Sequence, residues 1–213
     1  HADYVICISK AWEYWVRETF WRTKNISVIY RGFEFQKIER PRKWEYEPKK
    51  IGFVGRLVGL KNVEWLINAL LLIREQNWVC EIVWGGEEQK KLEALVIKWD
   101  LSNKIKFIGE RPHSWIMQEF YPTVDIFVNP SLQEWLPTTV IEALGMGCQV
   151  IATDVGGTRE ISEDIIIPPN NDVKLSEKII ALLKASQTVP IVEHFSMTSM
   201  KNSFHTVIEN IWK

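Results

Sequence analysis

The chain is short of the features that assign a protein at sight. Among its 213 residues stand three cysteines, Cys7, Cys80 and Cys148, far apart and without a CxxC pair. That excludes a disulfide framework and a cysteine-clamped metal. They fall in strand-like stretches rich in Val and Ile, the setting of buried small hydrophobes in a reducing compartment. Positive charge is not in excess, since 26 Lys and Arg stand against 27 Asp and Glu, so nucleic acid is not expected as a partner. No apolar run approaches the roughly 18–20 residues that cross a bilayer, and the first residues lack the succession of a signal peptide, so the cytoplasm is the expected compartment. A GxGxxG fingerprint is absent, and Lys61 is followed by Asn62 rather than Ser or Thr. These two absences exclude a Walker A loop and remove most support from a nicotinamide or flavin site. Hydrophobic residues at 46% and charged residues at 25% exclude disorder and low complexity.

What is present is alternation. Short β-branched runs at Lys50–Val54, Val79–Trp84, Lys104–Ile108, Asp125–Val128, Gln149–Ala152 and Asp164–Ile167 are separated by longer helix-period segments. The helical periods fall at Val63–Arg74, Gln89–Trp99, Ser114–Tyr121 and Thr138–Met146, with Lys174–Lys184 and Met200–Trp212 closing the chain. This predicts an α/β domain with a parallel six-stranded sheet, doubly wound.

The first fifty residues differ. Strand-like Tyr4–Ile8 and Ile26–Tyr30 flank an aromatic helix at Ala11–Trp21, and the stretch 35–49 is charged and punctuated by Pro41 and Pro48. The division expected is therefore residues 1–34, a linker over 35–49, and a domain over 50–213. Residues 17–50 hold ten Lys and Arg against five Glu. With Trp12, Trp15, Phe20 and Trp21, this charge gives the helix two readings. It is either an interfacial segment in peripheral contact with a membrane, or an ordinary helix packing Trp12, Trp15 and Val16 on a neighbouring domain.

Doubly wound sheets bind ligands beyond the carboxyl ends of their strands, which singles out the residues just after each one. After the first come Gly55, Arg56 and Lys61, a glycine that admits close approach and two cations able to face one anion; the plain alternative is solvated charge. After the second, Gly85 and Gly86 form a tight turn. The densest segment is Asn129–Gly147. Pro137 suits a first helical position, so the N–H groups of Thr138, Thr139 and Val140 would make a main-chain anion site. Glu134 lies before that helix start and Glu142 about one turn inside it. Carboxylates accept hydrogen bonds from a diol, so the segment suits a ligand carrying phosphate and hydroxyls. The alternative makes Glu134 a capping or surface acid and Glu142 a helix-face charge.

These residues carry a resemblance. Phe53-Val54-Gly55-Arg56-Leu57 with Lys61, Gly85-Gly86, Tyr121 to Asp125, Pro130-Ser131, Glu134 with seven residues before Glu142, and Val150 to Gly157 with Glu160 resemble the nucleotide-sugar-binding domain of glycosyltransferase family 4. The resemblance covers about residues 50–213, and residues 2–32 resemble the end of the acceptor-binding half. It implies a GT-B fold, in which two Rossmann-like halves face across a cleft, and a retaining hexosyl transfer from a UDP-, GDP- or ADP-sugar to an acceptor left unidentified. No cofactor is implied, and no metal, in keeping with the absence of a DxD motif.

Residue by residue, the resemblance implies that Arg56 and Lys61 hold the donor diphosphate and that Glu142 accepts the ribose hydroxyls. Glu134 would contact the transferred sugar. The amides from Leu136 to Val140, in the run Leu136, Pro137, Thr138, Thr139 and Val140, would add to the phosphate site, Gly55 would belong to the nucleotide-sugar site, and Gly85, Gly86 and the loop after Ile108 would border the base. Catalytic roles fall to Glu134, Arg56 and Lys61. Trp135 stands where the family has Gly, and Arg31-Gly32 where it has Asn-Gly. None of the four histidines is assigned, and His113 is expected to be a loop residue. Two rivals remain, a non-catalytic nucleotide-binding or assembly module and a nucleotide-sugar epimerase on the same fold.

Overall fold

The computed structural model describes residues 3–21, 24–34, 47–185 and 192–211. The N-terminal segment holds β1 (Val5–Cys7), α1 (Lys10–Phe20) and β2 (Ile26–Val28), with β1 and β2 paired in parallel. The chain then builds β3 (Lys49–Val54), α2 (Val63–Leu72), β4 (Trp78–Val83), α3 (Gln89–Lys98), β5 (Ile105–Gly109) and α4 (His113–Trp115). It continues through β6 (Ile126–Asn129), α5 (Thr138–Gly145), β7 (Gln149–Thr153), β8 (Ile166–Ile167), α6 (Asp172–Lys184) and α7 (Met197–Ile211).

Strands β3 to β8 form a six-stranded, all-parallel sheet in the order β5-β4-β3-β6-β7-β8. The α/β expectation holds, and strand bounds agree closely except for the last, where Asp164–Ile167 shrinks to Ile166–Ile167. The sheet is buried on both faces, so its strands read as apolar runs. One layer gathers Ile51, Phe53, Leu66, Leu70, Ile82 and Leu92, and the other Phe120, Tyr121, Phe127, Val140, Ile141 and Val150. Gly52 faces the second layer, where a Cβ would come within 2.9 Å of Phe120 and Val124.

The single helix expected over Ser114–Tyr121 is instead three pieces. Three-residue α4 runs into a π turn, Ile116–Phe120, and a 3₁₀ turn, Tyr121–Thr123. Pro122 supplies no N–H to continue the ladder, and its ring crowds the preceding turn.

The N-terminal segment is fastened to the sheet domain. Ser9 caps α1 by accepting from the Trp12 amide at 3.0 Å. Glu160 accepts from the Lys10 and Ala11 amides at 2.8 and 2.9 Å and from the Tyr30 hydroxyl at 2.8 Å. Val16 is buried, and the rings of Trp12 and Trp15 lie 4.8 and 5.7 Å from that of Trp135. The helix thus packs on the sheet domain, while Tyr14, Phe20 and Trp21 stay exposed. At the far end of the segment the Phe33 amide donates to Phe195 at 2.8 Å, and the Met197 amide returns a bond to Phe33 at 3.0 Å. Most of the expected linker, residues 35–46, lies outside the described residues, and Lys49 already belongs to β3. Among the described residues no helix is long and apolar enough to cross a membrane. All three cysteines are free and buried.

Candidate functional site

Strand order reverses between β3 and β6, which are paired neighbours. The loops leaving their carboxyl ends therefore diverge and open a crevice at this switch point. A hollow of about 340 Å³ lies there, lined by Arg31, Val54, Gly55, Arg56, Trp84, His113, Ile116, Thr138, Thr139 and Glu142.

Each wall has a local cause. The loop after β3 is tied to the loop after β4, since the Leu57 amide donates to the Gly85 carbonyl at 2.9 Å and the Glu88 amide to the Leu57 carbonyl at 3.0 Å. A Cβ on Gly86 would fall 2.4 Å from the Leu57 carbonyl oxygen. Gly86 thus lets two loop backbones touch, and neither glycine of the pair expected to border the base lines the hollow. Trp84, between β4 and that pair, does line it, and holds a φ of 102°. A bulky residue rarely adopts such a φ unless its surroundings impose it.

The floor comes from α5. Pro137 is the cap rather than the first helical residue, and the Val140 and Ile141 amides turn back on its carbonyl at 3.1 and 3.4 Å. The anion site expected over residues 136–140 accordingly narrows. Leu136 is buried, Val140 is spent, and Thr138 and Thr139 supply the outward amides of the first turn. One turn on, Glu142 is 5% exposed. Tyr121 donates to its Oε2 at 3.1 Å, and His113 Nε2 lies 3.0 Å from its Oε1. Burial, then the Glu142 charge, pushes the Tyr121 phenol well above its ordinary pKa, so it remains a donor. His113 is therefore no idle loop residue: it opens α4 and contacts the acid of the hollow.

Lys61 and Glu134 do not line the hollow. They pair with each other, Nζ to Oε1 at 2.5 Å, with Asn129 Nδ2 3.4 Å from the same oxygen. Lys61 is thus spent on a carboxylate instead of standing free beside Arg56. The Glu134 loop is pinned from behind, because a Cβ on Gly156 would fall 1.5 Å from the Glu134 carbonyl oxygen and one on Gly157 2.3 Å from that of Trp135. The Gly157 amide also donates to the Trp135 carbonyl at 3.1 Å. Of the residues expected from sequence, then, Gly55, Arg56, Thr138, Thr139 and Glu142 share one hollow, and Lys61 and Glu134 form a pair outside its lining. Arg31, Trp84, His113 and Tyr121 were given no role in the site from sequence. Arg31, Trp84 and His113 are signalled only by position within a few residues after a strand and Tyr121 only by its place in the resemblance, since no local spacing links them to Glu142.

The profile of the family described as Glycosyl transferases group 1 matches residues 48–185. An uncharacterised glycosyltransferase of Methanocaldococcus jannaschii is 28% identical over 218 residues, covering 96% of this chain and 55% of its own length. The amylovoran biosynthesis glycosyltransferase AmsK of Erwinia amylovora is 24% identical over 204 residues, covering 89% of this chain and 50% of its own. The chain spans about half the length of these curated relatives. Among solved structures, the lipopolysaccharide outer core galactosyltransferase WaaB, in its apo form, matches with a TM-score of 0.84 at 20% identity, over 98% of this chain and 62% of that one. Anabaena HepE, solved with UDP and glucose, matches with a TM-score of 0.84 at 20% identity, over 98% of this chain and 63% of that one. The shared fold is the Rossmann-like domain of GT-B glycosyltransferases.

Proposed function

This chain belongs to the glycosyl transferases group 1 family, and from that premise we propose that it forms the donor-binding part of a retaining glycosyltransferase taking a hexose from a nucleotide diphosphate sugar. One observation carries the reading. Arg56, with no carboxylate partner among the described residues, shares a switch-point hollow with the first-turn residues Thr138 and Thr139 and the buried acid Glu142. A guanidinium and helix-start amides suit a diphosphate, and a buried carboxylate held by Tyr121 suits ribose hydroxyls.

In this reading the departing diphosphate is the group whose charge needs stabilising as the glycosidic C–O bond breaks. Arg56 and the α5 amides supply that stabilisation without a metal. Glu134 contacts the sugar from the pinned loop, and Lys61, released from Glu134, turns to the phosphates. Residues 1–34 are the end of the acceptor-binding half, and the linker that follows them ends before Lys49, the first residue of β3. HepE has been solved with UDP and with UDP-glucose, so UDP is the first nucleotide to try.

Calorimetry with UDP, GDP and ADP tests the assignment. Glu142→Ala is expected to weaken nucleotide binding, whereas Glu134→Ala lowers sugar transfer more than nucleotide affinity. Undiminished affinity in Glu142→Ala would remove its ribose role. A module that only holds nucleotide for a separate acceptor-binding subunit, a reading favoured by Trp135 where the family has Gly, predicts binding without turnover until that subunit is added.

A further inference from the structure

The N-terminal segment sends one residue into the donor hollow. Arg31 lines it together with Gly55, Arg56 and Glu142, although it lies outside the sheet domain and outside the matched family segment. Its backbone is held on both sides. On one side Tyr30 donates to Glu160 at 2.8 Å. On the other, the Gly32 amide reaches Met200 Sδ at 3.1 Å, and Phe33 bonds in both directions with the segment Phe195–Met197. A Cβ on Gly32 would come within 2.8 Å of the Met197 Cα, so the chain here is pressed against the start of α7. The Arg31 guanidinium lies 5.4 Å from the Phe33 ring centroid, a cation–π contact that orients it without neutralising it.

Charge makes this placement informative. Among the described residues neither Arg31 nor Arg56 has a carboxylate partner, and the one acid of the hollow, Glu142, is already engaged by Tyr121 and His113. Two guanidinium groups against one carboxylate leave the hollow with an excess of positive charge, which an anion bound between the two guanidinium groups would offset. Lys61, the cation expected from sequence to share this task, is committed to Glu134.

We propose that Arg31 is a second guanidinium ligand of the donor's diphosphate, so that the donor site is completed by the N-terminal segment. The proposal rests on the nucleotide-sugar reading for the identity of the anion, but not for the presence of an anion site.

The test uses the 213-residue chain with Arg31→Gln, Arg31→Lys and Arg56→Gln, titrated calorimetrically with UDP, uridine and inorganic pyrophosphate. Arg31→Gln should lower UDP and pyrophosphate affinity about tenfold or more, the size of a lost charge-assisted hydrogen bond, and leave uridine affinity within about twofold. Arg31→Lys should recover only part, since an ammonium lacks the two-pronged geometry. A weak response to uridine as well, or a lowered melting temperature shared by Gln and Lys variants, would assign Arg31 to structure and overturn the proposal. So would UDP affinity within about twofold of the native chain in Arg31→Gln while Arg56→Gln loses tenfold. If no nucleotide binds the native chain but pyrophosphate does, and both Gln variants lose it, the nucleotide-sugar reading fails and the Arg31 site stands. If neither nucleotide nor pyrophosphate binds, both fall.

Discussion

The buried phenol of Tyr121 donates to Glu142 Oε2 at 3.1 Å, which fixes the direction in which the carboxylate faces the hollow. Tyr121→Phe keeps the ring and its packing but strips that oxygen of a donor. Leaving a buried acceptor underserved costs about 1–3 kcal/mol, and the carboxylate is then free to turn. The expected result is a lower melting temperature together with weaker UDP and uridine binding, while pyrophosphate binding is retained because Tyr121 makes no phosphate contact in this reading. Equal losses for uridine and pyrophosphate would mean that the variant had merely loosened the domain.

Two glycines give opposite expectations. Gly156 holds a φ of 52°, and its Cβ would overlap the Glu134 carbonyl at 1.5 Å. Gly156→Ala must therefore displace the Glu134 loop or move its own, a strain at the upper end of ordinary single substitutions, about 3 kcal/mol. Gly59 opens a 3₁₀ turn and has nothing within 4 Å of where its Cβ would stand. Gly59→Ala should stabilise by about 0.4–1 kcal/mol, because it removes conformational freedom from the unfolded chain alone. Urea denaturation of both variants checks the pair.

What the sequence made legible was whatever local pattern encodes. Six apolar runs gave six parallel strands, and the spacing of Glu142 from Pro137 put a carboxylate one turn inside a helix. The break at Pro122 was written in the chain as well, but the helical period of Ile116 and Phe120 just before it masked the change from α to π geometry. His113, Tyr121 and Arg31 were out of reach because their meaning lies in tertiary contact. Nothing near residue 113 or 121 indicates residue 142, and Arg31 reaches the hollow only because Tyr30 and Phe33 are fastened to elements late in the chain. The glycines carry a structural meaning that the sequence does not spell out. At Gly86, Gly156 and Gly157 the missing side chains admit neighbouring backbones.

Stability should fall at high pH. Burial raises the pKa of Cys80 and of Tyr121, and burial followed by the hydrogen bond to Glu160 raises that of Tyr30. In the unfolded chain these groups release protons near their ordinary values, about 8.5 for Cys and about 10 for Tyr. The folded state keeps the protons, so the unfolded state binds fewer in that range, and unfolding free energy decreases as pH rises. Their stabilising contribution is complete below about pH 8 and lost progressively above it. Urea midpoints at about pH 8 and about pH 10.5 should differ in the native chain and differ less in Tyr121→Phe. A pH-independent midpoint would show that these groups ionise alike in both states.

Glu160 joins three groups that no local pattern connects, the Lys10 and Ala11 amides and the Tyr30 hydroxyl. Two of these are free N–H groups at the start of α1, which a carboxylate satisfies both by hydrogen bonding and by complementing the helix dipole. Ser9 takes the Trp12 amide, so the two side chains divide the first turn between them. Glu160→Ala should cost about 1–2 kcal/mol, the size of a lost helix cap. It should also speed hydrogen exchange at Lys10 and Ala11 while leaving β4 and β5 protected. Glu160→Gln keeps one accepting oxygen and should fall between. If exchange at Lys10 and Ala11 is unchanged in the alanine variant, α1 is held by its Trp12 and Trp15 contacts with Trp135, and the carboxylate is dispensable.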